Sequence, residues 1–255
     1  MLTVQSLVSS DAQDALRQKQ LKKYHTKAQE FLATQFPVFG KTLSDDEQRA
    51  FVMLAYDRAR QLGFRTETDH LQCITPFVFF GTFFDTDYQY FDDRYFAGWA
   101  EATEFKPSLK RLTAQIKMYA ANTQSDLKSQ RHIMLSLVEI CRTPAMMGSI
   151  EELTECCRTV WPARTTRMRA DVFNYWAAQT LQEAQSMGLE RGDAILHGTL
   201  ALYFGHQFHR DPLCPFADKA YEELRMHTPP DLDPWRMALL DGVQHYFGAR
   251  SGAKK

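Results

Sequence analysis

The chain has 255 residues, 44% of them hydrophobic and 24% charged, with 18 Phe, 10 Tyr and 4 Trp, which is the composition of a folded globular protein and not of a disordered one. A formal charge of −1 offers no basic footprint for nucleic acid. No run approaches the ~18 consecutive apolar residues of a membrane-spanning helix. The five cysteines are odd in number and lack framework spacing, which points to a reducing compartment. The first residues, MLTVQSLVSSDAQDALRQ, have neither the basic region nor the long apolar region of a signal peptide, so a cytoplasmic location is expected.

A first helix is predicted from about Ser9, Ser10 or Asp11, with Leu21, Tyr24, Ala28, Phe31 and Leu32 at helical spacing. The basic run from Arg17 to Lys27 reads as its solvated face. Phe36-Pro37 stops this helix, because the residue before proline disfavours the helical region. Ser44 and Glu47 form a capping-box pattern ahead of a helix carrying Phe51, Leu54, Ala55, Ala59 and Leu62, and Gly63 suits its C-terminal stop. A third helix starts at Thr66 or Thr68 and runs to Phe80 with Pro76 inside it. It is apolar on nearly all sides, which predicts a buried central helix. An acidic turn follows, then helices around 93–104 and after Pro107. The polar residues 121–130 mark a junction. Helices are predicted again over 133–141 and 150–160, with Trp161-Pro162 as a stop.

The second half repeats the landmarks of the first. Phe36-Pro37 pairs with Trp161-Pro162, Phe51 with Trp176, Ala59 with Ala184, Leu62-Gly63 with Met187-Gly188 and Leu71 with Leu196, all 125 residues apart. Phe80-Gly81, Phe84 and Asp87 pair with Phe204-Gly205, Phe208 and Asp211 at an offset of 124. The expected architecture is therefore all-α, built from two tandem, related multi-helix subdomains. They span residues 1–122 and 123–255 and pack as one globular unit. Gly63, Gly81, Asp87, Gly188, Gly205 and Asp211 are assigned to turns and caps.

Three features invite a chemical reading. The turn holding Asp85, Asp87, Asp92 and Asp93 resembles a calcium loop, but Gln89, Tyr90 and Phe96 stand at positions five, six and twelve, where the pattern Asp-x-Asp-x-Asp-Gly with a closing glutamate has Asp, Gly and Glu. Capping explains its aspartates better. A partner-contact reading is kept for Asp85, Tyr88, Tyr90, Phe91, Asp92, Asp93 and Tyr95, where aromatic rings alternate with carboxylates. His206, His209 and Cys214 are zinc-ligand types, but a fourth ligand is not apparent and the first half has Thr82 and Asp85 at the two histidine positions. Cys156-Cys157 reads as a pair of core thiols on different helix faces. No phosphate-binding glycine loop and no nucleophile elbow is present, so neither a cofactor nor enzymatic activity is expected.

The order Phe36-Pro37, Arg58-Ala59-Arg60-Gln61-Leu62-Gly63-Phe64, Thr66-Glu67-Thr68-Asp69 and Gly81-x-x-Phe84-Asp85-Thr86-Asp87 resembles a family of helical bacterial proteins. Their genes lie beside type VI secretion spike, tip and adaptor components. The family pattern continues with Pro and Pro-Trp. Here Tyr88 and Tyr90-Phe91 replace these in the first half, whereas the second keeps Pro212 and Pro215-Phe216. The resemblance covers residues 10–100 well and 150–220 weakly. Its motifs are turn and packing signals and carry no functional residue. It implies a non-enzymatic, protein-binding accessory of a secreted effector, foremost an immunity protein that binds and neutralises a cognate toxin. The alternatives are an adaptor or chaperone that loads an effector onto the spike, and a metal-dependent enzyme using the aspartate-rich turn.

Overall fold

The computed structural model describes residues 10–90, 116, 130–143, 146–226 and 232–252. Among them the chain is all-helical, with eleven α-helices, three 3-10 turns and no strand. The helices predicted around 93–104 and after Pro107, the junction at 121–130 and the boundary between 122 and 123 lie outside these residues, apart from Ile116, which is helical and buried.

Helix α1 (Ser10–Gln35) buries Tyr24, Ala28 and Leu32, spaced one helical turn apart on one face. It gives way at Phe36 to the short α2 (Pro37–Thr42), whose first residue is the proline. At the start of α3 (Asp45–Gln61), Ser44 Oγ accepts from the Glu47 amide and the Glu47 carboxylate accepts from the Ser44 amide, the reciprocal capping box its sequence specifies. Gly63, with φ +87°, follows the last turn. The start of α4 (Glu67–Phe80) is capped by the Thr66 hydroxyl. This helix is less enclosed than its composition predicts: Gln72 and Phe79 are exposed along one side. Two 3-10 turns, Phe84–Thr86 and Tyr88–Tyr90, follow it.

The second half contains α5 (Gln130–Arg142), α6 (Ile150–Val160), α7 (Pro162–Thr165), α8 (Ala170–Ser186) and α9 (Arg191–Phe204). A 3-10 turn at Phe208–Arg210, then α10 (Pro215–Met226) and α11 (Leu232–Gly252), complete it. Here α9 is the enclosed helix. Every residue from Asp193 to Leu202 is buried, because α5, α6 and α8 all pack on it. The Trp161 indole N–H donates to the Thr199 carbonyl (2.6 Å) and its ring stacks on Tyr203 at 4.5 Å. At the matching positions of the first half, Phe36 and Phe79 meet edge-on at 6.1 Å.

The element bounds coincide after subtraction. Helix α8 matches α3 at an offset of 125, whereas α9 and the following 3-10 turn match α4 and Phe84–Thr86 at 124. The one-residue difference falls in the loop between Gly63 and Glu67, ahead of α4. In this register Leu71 stands level with Ile195, not with Leu196.

Two apolar cores result. One gathers Trp161, Trp176 and Trp235 around α9; the other gathers Phe51, Phe64 and Phe77 around α3 and α4. They exchange side chains: Leu213 of the second half is buried in the first core, Tyr88 of the first half packs against the second, and Tyr246 on α11 touches both.

Candidate functional site

The segments singled out by the sequence, Gly81–Tyr90 and Gly205–Leu213, meet where the halves join. Helices α4 and α9 both end on a glycine in an extended, positive-φ conformation, Gly81 at φ +88°, ψ 154° and Gly205 at φ +93°, ψ 154°. Side chains on L-residues essentially never adopt it. Space demands glycine as well. A Cβ on Gly81 would sit 2.8 Å from the Phe204 carbonyl oxygen, and one on Gly205 would sit 3.0 Å from that of Phe80. The two backbones therefore touch at the glycines.

Each turn then sends an aspartate to the opposite half. Asp87 Oδ2 accepts from the His206 amide (2.8 Å), and Asp211 Oδ2 accepts from the Thr82 amide (2.7 Å). Their remaining acceptor capacity closes their own turns and, for Asp211, adds a second bond across the junction. Asp87 takes the Gln89 amide (3.0 Å) and the Gln89 side-chain amide (2.7 Å). Asp211 takes the Leu213 amide (3.0 Å) and the Thr82 hydroxyl (2.9 Å). Both carboxylates are buried. Burial pushes the Asp211 carboxyl above its ordinary range, against the pull of the Thr82 and Leu213 amides and the Thr82 hydroxyl. Beside this clasp His206 Nε2 shares a 2.7 Å hydrogen bond with Thr86 Oγ1. Burial raises the Glu183 carboxyl, which lies near His206, Asp87 and Arg210. With every oxygen of Asp87 and Asp211 already accepting a hydrogen bond, these carboxylates hold chain segments together.

The partner-contact set is not one exposed surface. Asp85 is ion-paired with Arg58 in a largely covered position, and the same guanidinium donates to Gln61 (2.8 Å) and lies over the Phe83 ring. Tyr90 is 3% exposed and packs edge-on against Phe80, so its ring is core and not contact surface. Tyr88 is half-buried against Tyr175, which is 53% exposed. Phe91, Asp92, Asp93 and Tyr95 lie outside the described residues.

His206, His209 and Cys214 do not converge, and among the described residues no three His, Cys, Asp or Glu side chains come together as metal ligands. His209 instead joins a buried polar group missed by sequence reasoning. His197 Nδ1 hydrogen-bonds Tyr221 Oη (2.5 Å), and the His209 ring lies 4.9 Å from Tyr221 and 6.0 Å from His197. Burial, with the nearby His209 and His206 charges, pushes His197 down to about 3. Burial and the Arg210, Arg225 and His206 charges push His209 down to about 4. Both rings are therefore neutral at ordinary pH. The thiols are also held protonated by burial: Cys141 and Cys156 are raised to about 11, and the fully enclosed Cys157 is raised too. Among the described residues no helix is long and apolar enough to cross a membrane.

No family model, curated protein or solved structure matches the chain.

Proposed function

We propose that this chain is a non-enzymatic, cytoplasmic, protein-binding accessory of a type VI secretion effector, acting as an immunity protein that neutralises a cognate toxin by direct binding. One observation carries the reading. The Gly–Asp segments on which the resemblance rests are spent on joining two helical halves, with both carboxylates committed to backbone amides. The resemblance therefore follows a scaffold, and a scaffold of this kind works through its outer surface.

The same proposal includes an internal duplication. Its support is the equal length of α3 and α8 and of α4 and α9, the paired glycine stops and the reciprocal aspartate bonds. The halves are then related by a pseudo-twofold axis through the Gly81–Gly205 contact.

The deciding experiment is co-expression of the chain with each toxin encoded beside its gene. Immunity requires that one of them be neutralised and captured by the purified chain; failure to neutralise every neighbour removes it. Loss of effector secretion on deletion, with self-protection intact, assigns the adaptor role instead.

A further inference from the structure

We infer that the groove between α5 and α6 docks an amphipathic helix of a partner protein through two apolar side chains one turn apart and a basic residue at the rim. This deepens the protein-binding reading and rests on it.

The groove has a specific origin. At the offset of 125, α5 and α6 correspond to residues 5–17 and 25–35, the latter being the C-terminal part of the single helix α1, which runs unbroken from Ser10 to Gln35. In the second half the helix is interrupted ahead of Ser149. Gly148 takes φ +79°, and the Glu152 carboxylate gathers the amides of Met147, Gly148 and Ser149 at 2.8–3.0 Å. That break lets α5 pack beside α6. Over the described residues 10–35 the first half has one unbroken helix where the second has two, so the groove is not repeated among the described residues.

Its walls are two matching stripes. Helix α5 contributes Leu135, Ser136, Glu139 and Ile140; α6 contributes Glu155, Cys156, Thr159 and Val160. Both follow the i, i+1, i+4, i+5 pattern of a helix face. Together with Met146 they enclose about 410 Å3. Each stripe is about 7–8 Å long, enough for two anchoring side chains separated by one helical turn, the helix-in-groove mode of recognition. The floor is apolar, and Leu135 stands 60% exposed at its edge.

Charge selects the occupant. One exposed carboxylate stands on each wall, Glu139 and Glu155, and among the described residues no lysine or arginine lines the groove. Glu155 touches Arg158 of its own helix at 3.4 Å, but both side chains are more than half exposed, so this pair exchanges readily. The groove thus favours a helix whose apolar stripe is flanked by Lys or Arg.

The test uses the full chain and two synthetic helical peptides, one with Leu anchors flanked by Lys and its counterpart flanked by Glu, with binding followed by fluorescence anisotropy. The Lys peptide is expected to bind preferentially. Leu135→Asp, at an exposed position, should weaken it roughly tenfold or more. The double variant Glu139→Lys, Glu155→Lys should turn the preference toward the Glu peptide and serves as the test if Leu135→Asp fails to fold. Glu222→Lys, an exposed carboxylate on α10, should change nothing. Equal binding of both peptides, an unaffected Leu135→Asp variant, or an equal effect of Glu222→Lys would overturn the inference. So would self-association in sedimentation that Leu135→Asp abolishes, since the occupant would then be a second copy. If the chain binds the Lys peptide as expected but protects against no neighbouring toxin, the groove stands and the immunity reading falls. If Leu135→Asp and the double variant both protect fully, the groove is not the toxin contact.

Discussion

Asp87 and Asp211 are joined by a reciprocal exchange: each reaches out of its own turn to accept the backbone amide that follows the helix-ending glycine of the other half. A cap has become a cross-link between residues more than a hundred positions apart.

The exchange predicts two matched losses of stability. Asp211→Ala leaves the Thr82 and Leu213 amides without acceptors, and Asp87→Ala does the same to His206 and Gln89. Each substitution should cost about 2–4 kcal/mol, because a buried donor left unmade costs roughly 1–3 kcal/mol. Urea denaturation provides the measurement. Both variants serve one junction, so the double variant should lose less than the sum. A change under about 0.5 kcal/mol in either single variant would contradict the clasp.

Four of the five positive-φ glycines among the described residues, those that end helices α3, α4, α8 and α9, separate into two classes. Gly81→Ala and Gly205→Ala meet both a forbidden backbone conformation and a carbonyl oxygen at 2.8 and 3.0 Å, and should cost about 3 kcal/mol or more. Gly63 and Gly188 have the same sign of φ but open space around them. Their alanine variants should cost only about 1 kcal/mol. Thermal melts of the four variants test the ranking.

His197 and His209 make the fold sensitive to acid. Their pKa values are depressed on folding, so the unfolded chain binds more protons below the ordinary histidine value of about 6.5. Their contribution is complete above that pH and is lost as pH falls toward about 4 and then 3. Between pH 7 and pH 5 each histidine should lose about 2 kcal/mol. His209→Phe removes a buried ring nitrogen without a partner among the described residues. It should match the wild type within about 1 kcal/mol at pH 7 and lose correspondingly less at pH 5. Parallel denaturation curves at the two pH values for both proteins would refute this.

Glu152 is the staple of the α5–α6 corner. The amides of Ser149, Met147 and Gly148 hold its carboxyl below the usual range, so this contribution is present above the ordinary glutamate pKa and disappears as pH falls through the lowered value. Glu152→Ala should cost about 1–2 kcal/mol and weaken the Lys peptide, because the corner sets the spacing of the groove walls. Hydrogen exchange at Met147, Gly148 and Ser149 gives the local readout.

Local hydrogen bonds were legible in the sequence because they join residues three or four apart. Ser44 with Glu47, Thr66 at its helix start, the Phe36-Pro37 stop and the helix-ending glycines Gly63, Gly81, Gly188 and Gly205 can all be placed from residue type and spacing. The same Ser-x-x-Glu pattern stands at Ser149 and Glu152 and forms the same capping box. What the sequence by itself determined was the helical class, most of the boundaries and the paired landmarks. The tertiary structure decided that Asp87 and Asp211 cross between halves, that Tyr90 is core and Asp85 is tied to Arg58, and that α9 is enclosed while α4 keeps an open side. It also decided that α5 packs beside α6 with a groove between them. These outcomes depend on which surfaces meet in space, and a carboxylate's choice among amides far apart in sequence is made only when packing brings one of them within hydrogen-bonding distance.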